Sequence, residues 1–205
     1  MEKIMPETTG SIVFEKSRSA FVFIEFQAEW LAEDGLLFQR LVQDKDAFLS
    51  AVSQAALLLA AVRESGCTIA HAGLDLRDDP TYRLFGGGQN VLGLRAAIPR
   101  AGTWTGRGAE FMPPFIPMQG EFIVHGRSGA SVLKNSTLDA FLRNNRIDTL
   151  FLTGFATHVC VESTLRDAHD SGLNVFVVKD ACAAFTRAQD EHFHQHNSAS
   201  FRSRH

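Results

Sequence analysis

Five short runs of almost unbroken apolar residues, set between segments of helical period, constrain this chain more than any other feature. They are Ala20–Glu25, Cys67–Ala70, Phe122–Val124, Thr149–Thr153 and Asn174–Val178. A strand with one wet face alternates apolar and polar residues, whereas a strand buried on both faces does not. Between the runs, Asp44–Glu64 reads as a helix. Asp44 can cap it, Phe48, Val52, Ala55, Leu59 and Val62 share one face, and Gly66 can stop it. Leu138–Asn144 and Val159–Asp170 read as further helices, the latter ending near Gly172. This order predicts an α/β fold: a doubly wound, mainly parallel sheet in a three-layer α/β/α sandwich. The chain's 205 residues fit one domain over 1–205.

The segment from Leu74 to Gly120 breaks the pattern. It holds Gly86-Gly-Gly88, Pro99, Gly102, Pro113, Pro114 and Pro117, and reads as ordered loops with one short helix. Long loops inside a compact domain are usually functional, so this segment is expected to cover the active end of the sheet. In a doubly wound sheet that end lies beyond the carboxyl termini of the strands. The residues to read there are Glu25, His71, His125–Arg127, Gly154–Cys160 and Asp180–Cys182.

Charge and cysteine content narrow the function classes. The net charge is −3 with no block of Lys or Arg, which argues against nucleic acid as a partner. Cys67, Cys160 and Cys182 are far apart, odd in number and form no C-x-x-C pair, so neither a disulfide framework nor a zinc knuckle is expected. Reduced thiols, and a start at Met1–Gly10 without an apolar core, point to the cytoplasm. The apolar stretch Ala51–Val62 is shorter than a bilayer requires, so no membrane role is expected.

Cys160 lies just past the fourth strand, where a helix is expected to begin near His158 with Thr157 as its N-cap. Free amide N–H groups in a first helical turn would stabilise a thiolate there. A buried cysteine serves equally well as a small core residue, and this local context leaves both readings open.

The surrounding Gly154-Phe-Ala-Thr-His-Val-Cys160-Val-Glu-Ser-Thr resembles the nucleophile segment of the isochorismatase-like cysteine hydrolases, which include nicotinamidases, N-carbamoylsarcosine amidohydrolase and ureide hydrolases. Phe21-Val-Phe-Ile-Glu-Phe-Gln27 resembles the family's first strand, with its acid and following Gln. Val124-His-Gly-Arg127 resembles the strand that delivers a cation, Val177-Val-Lys-Asp-Ala181 a later core strand, and Gly102-Thr-Trp104 a loop of some members. The resemblance implies that Glu25, Arg127 and Cys160 form the catalytic set. It also implies a non-proline cis bond at Phe155–Ala156, with the backbone N–H groups of Ala156 and Cys160 as the oxyanion hole. The implied reaction opens a small amide, ureide or lactam C–N bond through a thioester.

Two positions depart from that pattern: Glu25 stands in place of Asp, and Arg127 in place of Lys. A guanidinium keeps its proton near neutral pH, so the proton work is assigned to Glu25. Arg127 is assigned to lowering the thiol pKa and holding the acid, by two parallel bonds if the fork fits. Lys134 is a rival for the cationic role. The pocket wall is expected from Gln27, Trp30, Tyr82 and Trp104. No Asp-x-His follows the second strand, so neither metal nor cofactor is expected; His192, His194 and His196 read as solvated imidazoles and His158 as a capping or surface group. Cys67 and Cys182 read as core, and Gly86-Gly-Gly88 lacks the Lys of a phosphate loop. The expected partner is a small molecule, and relatives imply a homo-oligomer, a dimer or tetramer. A silent binding or structural member of the fold, or a vinyl ether hydrolase that needs no thiol, are the alternatives.

Overall fold

A computed structural model of the chain describes residues 13–197; the C-terminal Phe201–His205 lies outside the described residues. The sheet has five strands, all parallel, in the order β3-β2-β1-β4-β5. They are β1 (Ser19–Ile24), β2 (Thr68–Ala72), β3 (Phe122–Val124), β4 (Thr149–Phe155) and β5 (Asn174–Ala183). Helices α1 (Ala28–Leu31), α2 (Leu36–Leu41), α3 (Lys45–Ser65), α4 (Leu94–Ala101), α5 (Thr137–Asn144), α6 (Glu162–Asp170) and α7 (Arg187–His192) surround it. The fold is the expected three-layer sandwich. β1 and β4 are buried at every residue, which is why their sequences do not alternate.

The two faces of β1 enter different cores. Phe21 and Phe23 join Phe151, Phe155 and the buried face of α3 on one side. Ala20, Val22 and Ile24 join Leu150, Leu152 and the buried faces of α5 and α6 on the other. Burial of one Phe or Leu side chain is worth about 1.5–3 kcal/mol, so these two cores supply much of the driving force. Asp44 caps α3 by accepting from the Ala47 N–H at 3.0 Å, and Gly66 closes it in the left-handed conformation. At 21 residues α3 is longer than the apolar stretch legible in the sequence, and by length and composition alone it could cross a bilayer; its face of Phe48, Ala51, Ala55, Leu59 and Val62 is buried in the core instead.

β5 runs five residues beyond its expected end. A bulge after the Leu152–Val177 pair lets Cys182 and Ala183 pair with Gly154 and Phe155. Cys182 is therefore core, as expected, and Cys67 is partly buried ahead of β2. Segment 74–120 carries one α-helix, α4, and two 3-10 turns. Strand order reverses between β1 and β4, so the fold's switch-point crevice opens where Glu25 and the turn before Cys160 emerge. Gly154 is required there. A side chain on it would collide with the Ile24 carbonyl, and its φ of +116° disfavours any other residue.

Candidate active site

Three strand ends bring Glu25, Arg127 and Cys160 together. Glu25 follows β1, with its N–H bonded to the Ala72 carbonyl at 2.7 Å and a φ of +63°. Arg127 follows β3 past Gly126. Cys160 sits on a π-helical turn, Thr157–Val161, that runs into α6. The thiol of Cys160 donates to Glu25 Oε1 at 3.1 Å. Arg127 Nη2 donates to Cys160 Sγ at 3.0 Å, and Arg127 Nη1 lies 2.6 Å from Glu25 Oε1. All three side chains are buried.

Each member is held by something else. Arg127 Nε donates to the Gly129 carbonyl and Nη2 to the Ala130 carbonyl, both at 2.9 Å. That loop is tied to α6 through Ser131 Oγ on Asp167 at 2.7 Å and the Val132 N–H on Thr164 Oγ1 at 3.0 Å. Glu25 Oε2 accepts from the indole N–H of Trp30 at 2.7 Å. The guanidinium does not grip the acid by two parallel bonds, as the sequence allowed. Nη1 makes an ion contact without hydrogen-bond alignment, and Oε2 is taken by Trp30.

Charge and burial set the resting state. Burial is the largest influence on Cys160 and pushes its thiol up; Glu25 pushes the same way, and Arg127 only partly offsets them, leaving the pKa at about 12. Arg127 thus pulls the thiol pKa down, as expected of it, but burial and Glu25 outweigh it. Burial works against the charge of Arg127, but Glu25 and the sulfur outweigh it and raise its pKa.

The helix start also differs in detail. Thr157 is the first residue of the π turn, not its cap, and its hydroxyl donates to Asp190 at 2.8 Å. Ala156 precedes the turn, with its carbonyl accepting from Val159 at 3.0 Å and Val161 at 3.3 Å. The Phe155–Ala156 bond is cis.

A cavity of about 330 Å³ adjoins Cys160, and Trp30 and Trp104 line it. The other two wall residues read from sequence do not. Gln27 is buried behind it, donating to the Leu74 and Ala109 carbonyls and accepting from the Leu74 N–H. The Tyr82 hydroxyl donates to the Thr103 carbonyl at 2.9 Å. Both amide and phenol are spent on backbone groups of the covering loops, which have no ladder to satisfy them. Leu37, Leu74, Leu94, Ile98 and Phe185 also line it, and no motif marked them. Glu29 was also missed: buried, it accepts the Trp104 backbone N–H at 3.0 Å and anchors the cover.

Lys134 is exposed on the loop before α5 and does not line the cavity. His158 is half-buried, edge-on to Phe185, with a centroid distance of 4.6 Å; burial lowers its pKa. The helix carrying His192 ends there, and His194 lies 3.6 Å from Asp190. Among the described residues no group of three or more His, Cys, Asp or Glu side chains is placed to hold a metal. Two hollows of about 570 and 400 Å³ between the start of α3 and α7 are open grooves that contain none of the three site residues.

Residues 19–202 match the sequence profile of the isochorismatase domain. The ureidoacrylate amidohydrolase RutB of Variovorax paradoxus is 28% identical over 190 residues, spanning 87% of this chain and 74% of the relative. A cysteine hydrolase from Pseudomonas syringae superposes with a TM-score of 0.70 at 23% identity, over 88% of this chain and 79% of that one. N-carbamoylsarcosine amidase from Thermoplasma acidophilum superposes with a TM-score of 0.62 at 23% identity, over 87% and 92% of the two chains. At such identities the superpositions speak for the fold, and the profile match along nearly the whole chain speaks for the lineage. The chain belongs to the isochorismatase family of cysteine hydrolases.

Proposed function

We propose that this protein hydrolyses a small amide-type C–N bond through a thioester on Cys160. The observation that carries the reading is the single oxygen, Glu25 Oε1, that faces both the thiol at 3.1 Å and Arg127 at 2.6 Å. As Sγ attacks the substrate carbonyl, Glu25 takes the thiol proton. The backbone N–H groups of Ala156 and Cys160 receive the oxyanion. Glu25 then protonates the departing nitrogen, the C–N bond breaks, and a thioester remains. Water, giving its proton to Glu25, attacks the thioester and restores the thiol.

Arg127 keeps its proton throughout. Its task is to balance the negative charge as it moves from carboxylate to sulfur within a buried site, where an unpaired charge would be costly. Activation is thus coupled to attack: a thiol pushed up to about 12 gives little free thiolate at neutral pH, and transfer to Glu25 proceeds as the S–C bond forms. The expected partner remains a small molecule, acted on by a homo-oligomer in the cytoplasm.

The test is amine or ammonia release from a panel of primary amides, ureides and lactams. Wild type is expected to turn over members of the panel, while Cys160→Ser and Glu25→Gln fall by at least about 1,000-fold. Undiminished turnover by Cys160→Ser would exclude the thioester route.

A further inference from the structure

The cavity beside Cys160 is walled mainly by carbon. Trp30, Leu37, Leu74, Ile98 and Trp104 line it and are each more than nine-tenths buried, and Leu94 lines it half-buried. Among the described residues lining it there is no Asn, Gln, Ser, Tyr, His, Asp or Lys. Its buried charges, Glu25 and Arg127, are paired with each other at 2.6 Å. Arg40 is the one other charged residue lining it and is exposed, which puts that guanidinium at the mouth. Three buried polar atoms on lining residues have no hydrogen-bond partner: Thr103 Oγ1, Trp104 Nε1 and Arg127 Nη1, the last in ion contact with Glu25.

Such a wall selects by desolvation. A polar group that enters and finds no partner loses about 5- to 150-fold in binding, equivalent to 1–3 kcal/mol. A methylene that enters gains about fourfold, equivalent to 0.8 kcal/mol. In the thioester route the acyl half stays bonded to sulfur, while the amine half must escape to water. The enclosed space beside Sγ therefore belongs to the acyl half. Its volume of about 330 Å³ lies at the small end of ligand pockets, about 300–1,000 Å³.

Resting on the hydrolase reading above, we infer that the substrate is an amide whose acyl group is a compact aliphatic or aromatic body. That body has at most one or two polar atoms, because the wall offers few groups to meet them. The carbamoyl group in the name of the Thermoplasma relative has the opposite character: small, and rich in N–H donors that this wall cannot accept.

The chain has only two tryptophans, Trp30 and Trp104, and both line the cavity. Their fluorescence in Cys160→Ser protein thus reports filling without turnover. Acetamide, butanamide, hexanamide and phenylacetamide are titrated against N-carbamoylglycine, and kcat/KM is measured for the same compounds with wild type. The expected result is a spectral shift whose affinity rises about fourfold per methylene until the cavity is full. In wild type kcat/KM follows the same order, and N-carbamoylglycine is at least about 100-fold poorer. Leu94→Glu, at a half-buried wall position, flattens the series. A flat series, no spectral response to any apolar amide, or preference for N-carbamoylglycine overturns the inference. If apolar amides bind in order but none is cleaved, the hydrolase reading fails and this one stands. If Cys160 cleaves the carbamoyl compound best, the hydrolase reading stands and this one fails.

Discussion

The indole N–H of Trp30 donates to Oε2 of Glu25 at 2.7 Å, which leaves Oε1 to face the thiol of Cys160. Trp30 is fixed in turn by stacking on Phe48 and Phe185, with ring centroids 6.2 and 5.8 Å away. The acid is thereby aimed by the aromatic core. Trp30→Phe keeps most of the packing and removes the donor. It is expected to lower kcat about 10- to 100-fold, the loss of one hydrogen bond to a charged group, with a much smaller change in KM. Steady-state kinetics on any cleaved amide would show it.

The resting thiol makes a prediction of opposite sign to intuition. Glu25 raises the pKa of Cys160, so removing its charge lowers that pKa. Glu25→Gln is expected to speed alkylation of Cys160 by iodoacetamide at pH 7–8 while abolishing turnover. In wild type, alkylation of Cys160 should keep rising well past the pH of about 8.5 at which an ordinary thiol ionises. Peptide mapping of the alkylated cysteine against pH checks both.

Arg127 makes four contacts with three nitrogens: two loop carbonyls, the thiol and Glu25. Lysine has one nitrogen and cannot reproduce them. Arg127→Lys is expected to retain measurable activity, reduced about 10- to 100-fold. Arg127→Ala leaves Glu25 buried without its counter-charge and is expected to cost about 3–5 kcal/mol of stability. Urea denaturation of the two variants separates these outcomes.

A part-buried cluster around Glu121 is expected to make stability depend on acid pH. Glu121 is partly desolvated, which alone would raise its pKa. The Arg63 guanidinium, the Met118 N–H and His71 override this and hold it at about 2. Because the folded value lies below that of an unfolded Glu, about 4.3, the stabilisation is fully present above that pH. It is lost as pH falls through about 2. Glu121→Gln is expected to be less stable than wild type at pH 7, with the gap narrowing below about pH 4; thermal unfolding from pH 7 down to 2 measures it.

The central strands β1 and β4 were legible because burial on both faces leaves an unbroken apolar run, and α3 because Asp44 and Gly66 mark its ends. The site was partly legible because three strand ends of a doubly wound sheet converge by topology. The roles of Trp30, Glu29, Gln27 and Tyr82 were not. Each is decided by which backbone or carboxylate oxygen lies opposite after segment 74–120 folds over the sheet, and no sequence period encodes that. The two wall residues wrongly assigned, Gln27 and Tyr82, are polar groups consumed by loop backbone. Much of the hydrophobic wall came instead from α2 and α4, whose Leu37, Leu41, Leu94 and Ile98 no motif marks.

The central claim is that Cys160 carries the acyl group. It is tested by acid-quenching wild type during turnover of its fastest amide and mapping the adduct by mass spectrometry. The account predicts a mass increase equal to the acyl group on the peptide containing Cys160, absent from Cys160→Ser. Turnover that continues in Cys160→Ser, or an acyl group found on another residue, would contradict it.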